Sequence, residues 1–176
     1  MPIDPRCFIL FGCNVLFVYL TQLVNSSLAA WSLHLVLIGP MLVLPTLYLR
    51  HRDGFLCLLL TGLWIDAALP VTYGYFTSGL LTAGTLIFAV RHRFRAEHNY
   101  HPLLIAHSTN FAVILILSIS LGQGVLNTPG YWLQVSVTSL LSHLALLLVA
   151  PWFFNLERML FSLLHVEVEP EDLPIH

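Results

Sequence analysis

The sequence contains no lysine, and charged residues of all kinds make up only 9% of its 176 residues. Soluble domains carry about 25% charged residues and about 45–50% apolar ones, whereas this chain is 57% hydrophobic. A water-soluble fold of this size could not bury so much apolar surface, because much of any folded surface still faces water. So little charge also excludes nucleic-acid binding. The composition therefore predicts a membrane protein.

Cysteine is scarce too, which leaves no disulfide framework or zinc-finger spacing to consider. The three that are present lie in apolar runs, where we expect small buried side chains: Cys7, Cys13 and Cys57. Motifs of catalysis are also missing, including a glycine-rich phosphate loop, a Gly-x-Ser-x-Gly elbow and His-Glu-x-x-His. We therefore expect a protein that is not an enzyme and that carries no catalytic, cofactor or metal site.

What the chain does have is six apolar runs, at 8–24, 33–49, 55–69, 73–90, 102–121 and 131–154. A membrane-spanning helix needs about 20 apolar residues, and the third run is short, at roughly 23 Å for a rise of 1.5 Å per residue. Pro40 and Pro45 predict a kink in the second helix. The predicted fold is all-α, a polytopic bundle of six transmembrane helices in one membrane domain, 1–166. An acidic tail, 167–176, is expected to be disordered.

The connections between the runs are of two alternating kinds. Those at 25–32, 70–72 and 122–130 contain no Asp, Glu, Lys or Arg. Those at 50–53 and 91–95, together with Arg6 and the pair Glu157–Arg158, hold every arginine of the sequence. Arginine-bearing short loops stay in the cytoplasm, so both termini are predicted to be cytoplasmic. The alternative is that the first run is a cleaved signal peptide, although it is longer than a usual signal sequence.

Asp66 is the only acidic residue inside an apolar run. An ionisable group within the membrane is a functional candidate. It could also cap the fourth helix by accepting backbone N–H bonds from the turn between Pro70 and Gly74. A cap, a partner-binding role and a proton or substrate role all remain open for Asp66.

Small and polar residues recur at helical spacing on three helices. In lipid, such stripes supply close backbone approach and interhelical hydrogen bonds, so the simplest interpretation is the interior of the bundle. A substrate cavity lined by the same residues is the alternative. The candidates are Asn14, Thr21 and Asn25 on the first helix, Ser78, Thr82 and Thr85 on the fourth, and Ser136, Ser139 and His143 on the sixth.

Histidines cluster in the connection before the fifth run, at His92, His98 and His101, with His107 just beyond. Their spacing matches no zinc pattern, and the three arginines nearby would repel a cation. We expect a hydrated basic loop against anionic lipid head groups. A relay through His107, His143 and Asp66 is conceivable.

The stretch from the second to the fourth run has a recognisable pattern. A basic turn precedes Gly54, a short helix ends in Gly62-x-x-x-Asp66, and after a brief loop Gly74 opens the next helix. This pattern resembles the bacterial rod-shape-determining protein MreD family, over about 60 residues. The resemblance marks Gly54, Gly62, Asp66 and Gly74 as family-motif or partner-binding candidates.

The resemblance implies a non-enzymatic scaffold in the inner membrane, within the elongation machinery that builds side-wall peptidoglycan. Its partners would be an MreC-like single-pass protein and, through it, the actin-like MreB and the peptidoglycan synthases. The same six-helix plan resembles the substrate-binding subunits of energy-coupling-factor vitamin transporters, which makes a small-molecule binder the alternative. A binder needs a cavity with convergent polar groups, whereas the uncharged connections here are short. The first run also lacks that family's Ala-x-x-x-Ala pattern.

Overall fold

The computed structural model of the protein describes residues 4–70, 72–96 and 102–165, apart from the side chains of 92–96. Over these residues the fold is all-helical, as predicted. The helices are α1 Pro5–Leu28, α2 Gly39–Tyr48, α3 His51–Ala68, α4 Tyr75–Ala96, α5 Pro102–Leu121 and α6 Pro129–Leu163, and the 3₁₀ turn Ala29–Trp31 follows α1. The predicted tail, 167–176, and the histidines at 98 and 101 lie outside the described residues.

Three of the helices are long and apolar enough to cross a membrane: α1 extended by its 3₁₀ turn, α5 and α6. The longest is α6, whose 35 residues span about 52 Å at 1.5 Å per residue. A bilayer core is about 30 Å thick, so α6 is longer than a single perpendicular crossing requires. These three helices are compatible with a membrane protein.

The short helix α2 is the centre of the bundle. It has 10 residues, and those from Gly39 to Leu47 are all buried. It packs against each of the other five helices. A helix that is apolar all round is stable only when every face is covered, and here the five longer helices cover it.

The prediction of one kinked helix over 33–49 is wrong. The structure is non-helical over 33–38, and α2 begins only at Gly39 with Pro40 in its first turn. Proline has no N–H and its ring clashes with the carbonyl four residues earlier, so Pro40 fits a first turn and excludes a helix running through it. Hydropathy detected the apolar run but could not separate non-helical backbone from helix.

Helices α1 and α3 run side by side in the same direction. The Asn14 amide donates to the Thr61 hydroxyl at 3.0 Å, and further along the Gln22 amide donates to the Ala68 carbonyl at 3.4 Å. Near the beginning of both helices, the Cys7 and Cys57 thiols lie close enough to interact. All three cysteines are free and buried, which confirms the prediction of small buried side chains.

Two predicted charged connections are part of helices. The segment 91–95, predicted as a hydrated basic loop, continues α4 to Ala96, and the Arg91 side chain is buried. The pair Glu157–Arg158, predicted as a loop after the last run, lies within α6, and Glu157 is completely buried. The sequence correctly placed both charged segments after the apolar part of a helix, but each helix continues through its charged segment.

Candidate functional site

Asp66 joins α3 to α4 through four hydrogen bonds. Its carboxylate accepts from the backbone N–H groups of Gly74 at 3.0 Å, Phe76 at 2.8 Å and Thr77 at 3.1 Å. It also accepts from the Thr77 hydroxyl at 2.6 Å. The first N–H groups of a helix have no partner within that helix, so a buried α4 start requires an outside acceptor. The cap interpretation of Asp66 is confirmed, with the cap supplied by the preceding helix.

Two of the three motif glycines, Gly62 and Gly74, serve the same junction, and Gly54 lies at the other end of α3. Gly74 has φ +94°, a left-handed conformation that favours glycine, and it directly precedes α4. A Cβ on Gly62 would lie 2.5 Å from the Thr77 Cα. A Cβ on Gly54 would lie 2.7 Å from the Pro45 carbonyl oxygen and 2.6 Å from the Phe88 ring. The four motif residues thus form one unit, in which the glycines permit close packing at α3 and Asp66 holds the beginning of α4. We call it the α3–α4 hairpin.

The Gly62→Ala variant is expected to be less stable than the wild type by about 1–3 kcal/mol, the usual cost of overpacking a tight contact. The contact lies against backbone of α4, which cannot rotate away as a side chain could. Gly79→Ala in α4 is the matched control, since a Cβ there meets nothing within 4 Å. Unfolding in mixed detergent micelles, followed by circular dichroism, measures both. Equal stability of the two variants would contradict a close α3–α4 contact.

The beginning of the central helix α2 is bound by a side chain from α5. Asn110, fully buried, accepts from the N–H groups of Ile38 at 2.9 Å and Gly39 at 3.2 Å, and donates to the Val36 carbonyl at 2.8 Å. A Cβ on Gly39 would overlap the Ala106 carbonyl of α5. Buried backbone groups must find partners, and Asn110 supplies them where no helix does.

Two further side chains hold the non-helical segment 33–38. Asn25 pairs with Leu35 twice, accepting from its N–H at 2.7 Å and donating to its carbonyl at 2.9 Å. The Ser142 hydroxyl of α6 accepts from the Val36 N–H at 3.0 Å. Irregular backbone inside an apolar environment is tolerated only where such groups satisfy it. The interior role expected for Asn14 and Asn25 is confirmed.

The end of α2 is bound by Arg91 of α4. Its guanidinium donates to the carbonyls of Leu49 at 2.9 Å and Thr46 at 3.2 Å, and it lies over the Phe88 ring at 5.1 Å from the centroid. A cation at a helix C-terminus is favourable both for the unpaired carbonyls and for the helix dipole. The central helix is therefore capped at both ends by side chains of neighbouring helices.

A cavity of about 100 Å³ lies beside the segment 33–38. Its polar lining residues are Thr21, Gln22 and Asn25, and each hydrogen-bonds the chain's own backbone. A ligand site needs polar groups that converge on the ligand. The polar groups of this cavity are instead used in holding α1, α3 and the segment 33–38 together.

The stripe on α4 does not face the interior of this chain. Ser78 and Thr82 are exposed, and their hydroxyls donate to backbone carbonyls of their own helix, those of Tyr75 and Ser78 respectively. Both line a groove of about 370 Å³ between α4 and α5. The prediction that these residues pack in the bundle is therefore wrong for the single chain. Hydroxyl periodicity indicates one helix face without showing which neighbour covers it.

The polar stripe on α6 is divided. Ser136 is exposed and bonds the Trp132 carbonyl of its own helix, which contradicts the interior role predicted for it. Ser139 is partly buried. His143 is partly buried and pairs with His107 of α5, with 2.8 Å between their Nδ1 atoms. All the hydrogen bonds described for Asp66 go to the beginning of α4. Of the three residues of the conceivable relay, only His107 and His143 are therefore paired with each other.

Sequence reasoning missed the side chains that cap α2 and hold the segment before it, namely Asn110, Ser142 and Arg91. A lone asparagine within the apolar run 102–121 was the available signal for Asn110, because an uncompensated amide is costly in an apolar environment. Nothing local distinguishes Arg91 from the other arginines of its segment. Comparison of the chain with known protein families, characterised proteins and solved structures finds no match.

Proposed function

We propose that this protein is a non-enzymatic membrane scaffold of the bacterial cell-elongation machinery, of the kind that the MreD family represents. The observation that carries the proposal is the α3–α4 hairpin. Gly62, Asp66 and Gly74 act together where α3 meets the beginning of α4, and Gly54 lets the other end of α3 approach α2 and Phe88 of α4. The residues that suggested the family thus belong to one helical hairpin, which supports the proposal.

The proposed topology has six membrane passes, with both termini in the cytoplasm of a bacterial inner membrane. The arginines support this orientation. Arg6 lies at the start of α1, Arg50 immediately before α3 and Arg91 near the end of α4, and these ends belong together when α1 and α3 run in parallel. Basic residues at one end favour the cytoplasm there. The half-length helix α2, preceded by the non-helical segment 33–38, would make the second pass.

The alternative of a vitamin-binding transporter subunit has less support. The polar side chains that line the cavity beside 33–38 are bonded to the chain's own backbone. The groove between α4 and α5 is lined mostly by apolar atoms, and the hydroxyls of Ser78 and Thr82 are bonded within α4. Neither space presents the convergent polar groups by which a water-soluble vitamin is recognised.

In this proposal Asp66 acts on a partner indirectly. Its side chain is only 3% exposed, so an MreC-like protein could not contact it without unfolding the hairpin. Asp66 instead fixes where α4 begins and therefore how α4 presents its outer face. A partner on that face would depend on Asp66 through the position of the helix.

The proposal is tested by co-purification from the bacterium that encodes the chain. We expect the tagged protein, extracted in mild detergent, to retain an MreC-like single-pass protein, and its depletion to convert rod-shaped cells to round ones. An unrelated single-pass protein expressed at the same level is the control for specificity. Rod shape after depletion, together with co-purification of a transporter ATPase, would contradict the scaffold and support the binder.

A further inference from the structure

Asp66 and Glu157 are two of the three buried acidic residues in the described part of the chain, and their surroundings differ. Asp66 accepts four hydrogen bonds. Glu157 on α6 is 0% exposed, and neither of its carboxyl oxygens has a hydrogen-bond partner. A buried carboxylate without donors or a counter-ion is among the most costly groups in a protein interior. The free-energy cost of keeping the carboxyl group ionised is therefore much higher for Glu157 than for Asp66.

The surroundings of Glu157 contain weakly polar groups and no described cation that pairs with it. It lies close enough to the thiols of Cys13 on α1 and Cys57 on α3 to act on them electrostatically. The other helices packed on α6 are α2 and α5, which carry no Asp, Glu, Lys or Arg, and whose titratable side chains are Tyr48 and His107. Arg158, the next residue along α6, is exposed, and its charge acts on Glu157 without a hydrogen bond to either carboxyl oxygen. On α3, Asp53 is also buried and lies one helical turn before Cys57.

The partner that best fits the carboxyl oxygens of Glu157 is a proton. Both orphan atoms are acceptors, and the fully buried Asn14, next to Cys13 on α1, also has an unpartnered acceptor, its Oδ1. Unsatisfied acceptors call for a donor or a cation. No group of three or more metal-ligating side chains that could hold an ion occurs in the described part of the chain. A proton removes the negative charge of the carboxylate, the costliest part of its burial, without any further ligand.

We propose that Glu157 is a proton-binding site within the bundle, occupied at neutral pH, which keeps the side chain a neutral carboxylic acid between α6, α1 and α3. Packing of α6 against α1, seen in the Phe17–Phe153 ring contact one helical turn from Glu157, then depends on that proton. Release of the proton would place an unpaired charge in the contact. The packing of α6 would then depend on the pH of the compartment from which the proton reaches Glu157.

The proposal is tested by solid-state NMR of the wild-type protein in lipid vesicles, with leucine and glutamate labelled with ¹³C and ¹⁵N. Leu156–Glu157 is the only Leu-Glu pair in the sequence, so the Glu157 signal is assigned without any substitution. At neutral pH we expect its carboxyl carbon at the chemical shift of a protonated acid. A glutamate with an unperturbed side chain is a carboxylate at that pH, and the signals of the other four glutamates of the sequence serve for comparison.

Raising the pH should move the Glu157 signal to the carboxylate position at a pH above that of the other glutamates. Over the same range the wild-type protein should lose thermal stability, while Glu157→Gln, which keeps the shape and stays neutral, should not. A carboxylate shift for Glu157 at neutral pH would overturn the proposal, whatever the stability of the Gln variant.

Discussion

The Asp66→Ala variant is expected to be less stable than the wild-type protein by roughly 3 kcal/mol or more. One buried donor left without a partner costs about 1–3 kcal/mol, and Asp66 serves three backbone N–H groups and one hydroxyl. An exposed N-cap, by comparison, contributes about 0.5–2 kcal/mol. Unfolding in mixed detergent micelles, followed by circular dichroism, gives the difference in free energy.

Two further variants separate the cap from general damage at this position. Asp66→Asn keeps one carbonyl oxygen but turns an NH₂ group towards N–H donors, so an intermediate loss is expected. Thr77→Val removes only the hydroxyl that bonds Asp66, and should cost about 1 kcal/mol. If Asp66→Ala unfolded within about 0.5 kcal/mol of the wild type, the range of ordinary surface substitutions, the hairpin would not depend on this carboxylate.

The Asn110→Leu variant is expected to lose a similar amount, roughly 3 kcal/mol, because it leaves three buried backbone groups unpaired at about 1–3 kcal/mol each. These are the N–H groups of Ile38 and Gly39 and the carbonyl of Val36. Leucine is similar in volume, so the loss would reflect hydrogen bonds rather than a cavity. The same micelle unfolding assay measures it.

A matched control for Asn110 lies on the same helix. The Ser118 hydroxyl donates to the Ile114 carbonyl within α5, so Ser118→Ala should change stability by less than about 0.5 kcal/mol. Asn110→Asp keeps the acceptor for Ile38 and Gly39 but loses the donor to Val36, and is expected to fall between the two. Equal stability of Asn110→Leu and Ser118→Ala would show that segment 33–38 does not need the amide.

The parts of the fold that were predictable from the sequence depend on local signals. The run 102–121 begins with a proline and continues without interruption, and it coincides with α5. The Asp66 cap was foreseeable because proline and glycine close the chain into a turn shortly after it. The groups that Asp66 binds lie only 8 to 11 positions further along the chain, where local spacing restricts the geometry.

The remaining features depend on contacts between distant parts of the chain. Asn110 is 72 positions from Ile38, and Ser142 is 106 positions from Val36. Hydropathy gives the same value for Leu35 or Val36 whether the backbone is helical or extended, so the break before α2 was not visible. Glu157 was placed after the last run because the apolar run ends at Phe154, whereas α6 continues to Leu163.

The central feature of this structure is that polar side chains replace helical hydrogen bonds where the backbone is buried but not helical. Amide hydrogen exchange of the wild-type protein in micelles, resolved by NMR, tests it most directly. The N–H groups of Leu35, Val36 and Ile38, which lie outside any helix and bond to Asn25, Ser142 and Asn110, should exchange as slowly as those of α2. Asn110→Leu should release Ile38 and Gly39 selectively. Fast exchange of all three amides in the wild type, at the rate of an open loop, would contradict it.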